Sequence, residues 1–90
     1  MIGLLAEFPD MSSEQAAEIL RRLDLGGKPP PGQVLHAEGP MDGGGTRVVD
    51  VWESREAFDA FARDKLGPIM GPMGIGMPQP TFWPITAVLK

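Results

Sequence analysis

The segment from Thr46 to Leu66 constrains the fold more than any other part of this 90-residue chain. It opens with Val48, Val49 and Val51, a β-branched run typical of a strand that is covered on at least one face. Ser54 follows in the position of a helix N-cap. After it, apolar residues recur on one helical face, at Phe58, Phe61, Ala62 and Leu66. The sequence therefore predicts a buried strand that runs directly into an amphipathic helix.

The length of the chain predicts one domain, spanning residues 1–90. A domain of this size buries roughly 60–65% of its unfolded surface and is often only marginally stable alone. The chain contains no cysteine, so disulfides and thiolate metal sites cannot add stability. We therefore expect it to pack against a second copy as a homodimer.

Charge and hydropathy narrow the choice of partners and location. The formal net charge of −4 argues against a nucleic-acid partner, which requires a basic face. No apolar run approaches the roughly 18 residues of a membrane span, so no membrane partner is expected. The first residues have neither a basic start nor a small-residue cleavage site and are predicted to form a strand. These features favour a cytoplasmic protein.

Glycine and proline divide the chain into elements because they gather in three loop segments: 26–32, 39–45 and 67–80. Between the loops, the patterns predict four strands and two helices. The strands are Ile2–Phe8, Gln33–Glu38, Thr46–Glu53 and Thr81–Leu89. The first helix is capped by Ser12 or Ser13 and ends at Gly26–Gly27, and the second ends near Gly67–Pro68.

The resulting order, βαββαβ, predicts an α+β, ferredoxin-like fold with a four-stranded antiparallel sheet and both helices on one face. That topology places the second and fourth strands at the edges of the sheet. Pro84 in the fourth strand agrees with an edge position, because proline cannot donate to a neighbouring strand. Three consecutive glycines, Gly43–Gly45, lack the lysine and the helix that a phosphate loop needs and are predicted to form a hairpin turn.

The segment VVDVWESREAFDAFARDKLGPIM, preceded by LHAEGP, resembles the dimeric α+β barrel superfamily. The likeness is to antibiotic-biosynthesis-monooxygenase-like proteins, in particular to small actinobacterial-type members, and it extends from about Gln33 to Ile69. It implies a homodimer whose sheets pack face to face, and a pocket for a small molecule between each sheet and the helices or the partner. The haem-degrading branch of the superfamily carries a histidine on the second helix. Residues 55–66 contain none, so that activity is not implied here.

The period of two in the strands predicts one polar group of residues. His36, Asp50 and Trp52 should share a face on adjacent antiparallel strands, if the hairpin register is even. The more uniformly apolar face, with Leu35, Ala37, Val49 and Val51, is expected beneath the helices. The face with Val34, Val48 and Trp52 is then expected to form the dimer interface.

Two interpretations of this polar group remain open. In one, His36 and Asp50 are catalytic: His36 transfers a proton, Asp50 orients it, and Trp52 stacks on a flat substrate. In the other, His36 and Asp50 only satisfy one another's hydrogen bonds. The predicted substrate-binding residues are Trp52, Val34, Val48, Met70, Met73 and Phe82. Met70, Met73 and Met77 could form an adaptable lid with Phe82 and Trp83, or could simply fill space between loop and sheet.

The resemblance to this superfamily implies two function classes. The first is a cofactor-independent monooxygenase, cyclase or isomerase acting on a hydrophobic, aromatic or polyketide-type small molecule. The second is a non-catalytic dimeric small-molecule-binding or accessory protein. Neither requires a cofactor, and with one histidine and no cysteine a classical zinc site is not expected. Arg47 could meet a carboxylate ligand or an acidic residue across the sheet.

Overall fold

The computed structural model of the protein describes residues 1–89, and it confirms the ferredoxin-like α+β fold. The strands are β1 (Ile2–Phe8), β2 (Gln33–Pro40), β3 (Thr46–Trp52) and β4 (Thr81–Pro84). The helical elements are α1 (Ser13–Leu23), α2 (Arg55–Phe61), a π-helical segment (Ala62–Leu66) and α3 (Gly67–Met70). The sheet is antiparallel with the order β2-β3-β1-β4, so β2 and β4 lie at its edges as predicted.

Both predicted helix starts are confirmed by their caps. The Ser12 hydroxyl accepts a hydrogen bond from the Gln15 backbone N–H (3.1 Å), and the Gln15 side chain accepts one from the Ser12 N–H (2.9 Å). The Ser54 hydroxyl accepts from the Ala57 N–H (3.1 Å). These bonds satisfy amides that have no partner within the helix. The first helix ends slightly earlier than expected, at Leu23, with Asp24 in the left-handed conformation (φ 52°).

The second helical stretch continues past its predicted end near Gly67–Pro68. The π-helical segment Ala62–Leu66 leads into α3, and the Gly67 N–H donates to the carbonyl of Ala62, five residues earlier. Pro68 lies in the first turn of α3, where the missing proline N–H costs little because such amides are unpaired in any helix. The change in hydrogen-bond register therefore lets the chain stay helical through a glycine and a proline.

The last strand is shorter than predicted. The ladder between β1 and β4 covers Thr81–Pro84, whereas the prediction extended to Leu89. Pro84 cannot donate to the ladder, and one further bond, from the Ile85 N–H to the Met1 carbonyl (3.0 Å), closes the pairing. The apolar residues after Ile85 therefore form no strand within this protomer.

The assignment of the two sheet faces was wrong. Trp52 is fully buried against the helices, with ring centroids 5.7 Å from Phe58 and 5.4 Å from Phe61. Cross-strand pairing places His36 and Asp50 on this same helix-covered face. The other face, which we call the open face, carries Leu5, Leu35, Ala37, Val49, Val51 and Trp83. Bulky aromatic partners on α2, rather than the evenness of the apolar pattern, decided which face the helices cover.

Candidate active site

A line of four hydrogen-bonded side chains crosses the helix-covered face of the sheet. His36 on β2 is directly opposite Asp50 on β3. Glu38 and Trp52 each lie two residues along their own strand, so the alternation of the strands places them on the same face. The predicted proximity of His36 and Asp50 is therefore present, but beneath the helices rather than on the open face.

Two carboxylates hold the imidazole of His36, one at each ring nitrogen. The distance from His36 Nδ1 to Asp50 Oδ1 is 2.7 Å, and that from His36 Nε2 to Glu38 Oε1 is also 2.7 Å. The Trp52 indole Nε1–H donates to the other oxygen of Asp50 at 3.1 Å. Asp50 is buried and has both oxygens engaged, which restrains its position. Glu38 lies on the edge strand, so Nε2 is the end of the imidazole that a ligand could reach.

The two carboxylates control the charge of His36. Hydrogen bonds to Asp50 and then to Glu38 raise the pKa of His36 from 6.5 to about 9, against the opposing effect of burial. At neutral pH the ring is therefore an imidazolium, and both of its nitrogens donate. In this state His36 is prepared to give a proton rather than to take one.

A small apolar cavity of about 80 Å³ lies between the sheet and the helices, next to this polar line. Its polar lining residues are His36, Glu38 and Asp50. Its apolar walls include Phe8, Met11, Ile19, Val48, Phe58, Met70 and Met77. Of the predicted substrate-binding residues, Val48 and Met70 therefore lie at this cavity. Met77 also lines it and is 44% exposed, as a residue at a cavity mouth would be.

The remaining predicted binding residues lie elsewhere. Trp52 is fully buried behind Asp50 and supports that carboxylate. Phe82 packs against Phe58 with ring centroids 5.6 Å apart. Met73 packs against the hydrophobic core, and Val34 falls at an irregularity in the pairing of β2 with β3. None of these four side chains lines the small cavity or the larger cleft described next.

A larger cleft of about 520 Å³ opens beside the C-terminal end of α1. Its walls come from the end of that helix, the Gly- and Pro-rich loop after it, the start of β2 and Phe61 of α2. Leu20, Leu23 and His36 line both the cleft and the small cavity. The two spaces therefore meet at the imidazole.

Several residues at this site were not predicted. Glu38 could have been found, because it follows His36 by two residues on the same strand and must share its face. The cleft residue Lys28 carries no such signal, since its placement depends on how the loop after α1 folds back. Arg47 is resolved in favour of its structural role: it binds Glu7 across the sheet at 2.7 and 2.9 Å.

Two further observations concern metals and membranes. Within residues 1–89, no group of three or more histidine or acidic side chains is arranged to hold a metal ion. No helix in that same range is both long enough and apolar enough to cross a membrane.

Comparison with known proteins supports the fold. No family model matches the chain, and no curated protein sequence matches it. A crystal structure of a proposed antibiotic biosynthesis monooxygenase from Deinococcus radiodurans is similar, with a TM-score of 0.66 over 100% of this chain and 97% of that one. The two sequences are 13% identical, so the likeness is one of fold. It confirms the predicted fold-level resemblance but gives no support to the narrower actinobacterial-type expectation.

Proposed function

We propose that the protein is a cofactor-independent enzyme that moves protons on a hydrophobic small molecule of aromatic or polyketide type. The observation that carries this proposal is the position of His36. The imidazole is held between two carboxylates, and it lines both an apolar cavity and a larger cleft. Charged groups at the meeting point of two cavities are characteristic of functional sites.

The two carboxylates have different roles in this proposal. Asp50, fixed by Trp52, keeps the Nδ1 side of the ring in place and stabilises its charged form. A substrate oxygen replaces Glu38 at Nε2 and receives the hydrogen bond, and then the proton, from the imidazolium. Glu38 is on an edge strand and can move aside without disturbing the core. His36 is thus the acid and Asp50 its positioning residue.

Proton transfer at a substrate oxygen is common to the reaction types considered. Enolisation of a ketone adds the imidazolium proton to the carbonyl oxygen, while the Glu38 carboxylate released from Nε2 takes the proton from the α-carbon. The enol can then isomerise, cyclise or be oxygenated. Where the reaction is an oxygenation, molecular oxygen is the oxidant. The structurally similar protein is named a proposed antibiotic biosynthesis monooxygenase, and this name supports oxygenation as one of the reaction types.

The proposal includes a homodimer formed through the open face of the sheet. Leu35 and Trp83 on this face are 39% and 38% exposed, and Val49 and Val51 lie between them on β3. The helices cover the opposite face, so they cannot shield these residues. A contiguous apolar surface on one side of a small protein is typical of a protein–protein interface.

The decisive test is the variant His36→Gln. Deuterium uptake by enolisable aromatic ketones such as α-tetralone, followed by NMR, measures proton transfer whichever overall reaction the enzyme performs. We expect the variant to catalyse the exchange about 10²–10⁴-fold more slowly than the wild type does. Asp50→Asn should impair the same step. Glu7→Gln removes an exposed ion pair from the same sheet and serves as the control that retains full activity.

The alternative function is a non-catalytic small-molecule binder. One observation favours it: within residues 1–89, no buried side-chain nitrogen or oxygen lacks a hydrogen-bond partner. A polar line that satisfies itself can be purely structural. In that case His36→Gln lowers the free energy of unfolding but leaves ligand affinity unchanged, and the wild-type protein does not accelerate exchange. Thermal unfolding of the same variants separates the two functions.

A further inference from the structure

The volumes of the two spaces at His36 differ in a way that limits what each can hold. An engineered cavity of roughly 150 Å³ holds one benzene molecule. The small cavity of about 80 Å³ is therefore too small for a fused-ring compound. The cleft of about 520 Å³ lies within the usual range of roughly 300–1,000 Å³ for small-molecule sites. The body of a substrate belongs in the cleft, and only its reacting end reaches the polar line.

The cleft combines apolar walls with a few charged side chains. Leu20, Leu23, Leu25, Pro29, Pro30 and Phe61 supply the apolar surface. The charged side chains along it are the cations Arg21 and Lys28, the imidazolium of His36, and a single carboxylate, Asp24. Arg21 is bound by Glu18, and His36 by Asp50 and Glu38, so neither adds net positive charge to the cleft.

The cations of this protein differ in their availability. Within residues 1–89, every arginine is ion-paired with a carboxylate; Arg21 and Arg22 both bind Glu18. Lys28 and Lys65 form no ion pair in that range. Of these two, Lys28 alone lines the large cleft. A free ammonium beside an apolar groove attracts a ligand that carries a negative charge.

From these observations we infer that the cleft beside α1 binds a small acidic amphiphile, a flat apolar body with one carboxylate or sulfonate group. The anionic group pairs with Lys28 at the rim, and the apolar body lies along Leu20 and Leu23 towards His36. This inference names the substrate class of the proposed enzyme and rests on that function. The cleft lies on the helix side of the sheet, so a dimer formed through the open face leaves it accessible.

Two fluorescent probes with the same ring system test the inference. 1-Anilinonaphthalene-8-sulfonate carries an anionic group, and N-phenyl-1-naphthylamine does not. We expect Lys28→Gln to weaken binding of the sulfonate about two- to fivefold, the range of a solvent-exposed ion pair, and to leave the neutral probe unchanged. Lys65→Gln is the matched control, because it removes the other unpaired lysine outside the cleft. Added salt should weaken binding of the sulfonate probe and leave binding of the neutral probe unchanged.

NMR of the wild-type protein locates the probe. The amides of Gly26 and Gly27 line the cleft and should shift on titration with the sulfonate. The inference is overturned if Lys28→Gln binds both probes as the wild type does, if Lys65→Gln weakens the sulfonate equally, or if the shifts fall on Val49 and Val51 of the open face. These are binding measurements, so they are independent of the exchange assay. If the protein binds the sulfonate selectively but does not accelerate proton exchange, the cleft is a binding site and the proposed enzymatic function is wrong.

Discussion

The central feature of the site is the imidazole of His36 between two carboxylates of unequal exposure. Asp50 is 6% exposed and restrained by Trp52, whereas Glu38 lies on an edge strand. Strand alternation was sufficient to predict that His36 and Asp50 meet, because an antiparallel hairpin with even register places them side by side. The bond from Trp52 to Asp50 was not predictable, since it depends on the indole turning towards its own strand.

The raised pKa of His36 predicts how stability depends on pH. The folded protein holds the proton up to about pH 9, and the unfolded chain releases it near 6.5. This contribution to the free energy of unfolding is complete below pH 6.5 and is lost as the pH rises through 9. Its size is on the order of 1–3 kcal/mol. Urea unfolding between pH 6 and 9.5 should show this decline in the wild type. If His36→Gln declines equally, the histidine is not its source.

The order of the strands and helices, and the points where the helices begin, could be predicted. Both depend on local signals such as serine N-caps and clusters of glycine and proline. The face of the sheet that the helices cover could not be predicted in this way. Val49 and Val51 looked like the core side of β3, but the helices cover Asp50 and Trp52 instead. Which side a helix covers depends on how the side chains of the two elements fit together, here Phe58 and Phe61 against the indole of Trp52. A strand with apolar residues on both faces does not encode that choice alone.

The pairing of β1 with β4 predicts a cost for adding one methyl group. Gly3 lies opposite Trp83, and a Cβ at Gly3 would overlap the Cε2 atom of the indole. Gly3→Ala must therefore displace Trp83 and should lower the free energy of unfolding by about 1–3 kcal/mol. Gly39→Ala is the matched control, because a Cβ there meets no atom within 4 Å. Equal stability of the two variants in urea unfolding would show that β4 shifts freely.

The two faces of the sheet differ in how far they are shielded from solvent. One face of the sheet lies under the helices, while the open face carries partly exposed apolar side chains such as Leu35 and Trp83. The small size of the chain already favoured a dimer, and the reversed face assignment changes which residues should form it. The original candidate, Trp52, is buried in the core, so its replacement would unfold the protomer rather than separate two protomers.

The variant Val51→Asp tests the dimer at the centre of the open face. We expect the wild type to sediment as a dimer at micromolar concentration. The variant should dissociate at least about tenfold more readily, because it buries an unpaired carboxylate in an apolar interface. Ala17→Asp places the same charge on the exposed surface of α1 and should leave the dimer intact. A monomeric wild type, or a Val51→Asp variant that still dimerises fully, would place the interface elsewhere.

The hydrogen bond from Trp52 to Asp50 has an optical consequence. The indole is enclosed in the core, and only one carboxylate separates it from His36. Any event that changes the charge of the imidazole also changes the electric field along the indole ring. The fluorescence emission of Trp52 should therefore change when the charge of His36 changes, so it is an intrinsic probe of the site where the chemistry is proposed to occur.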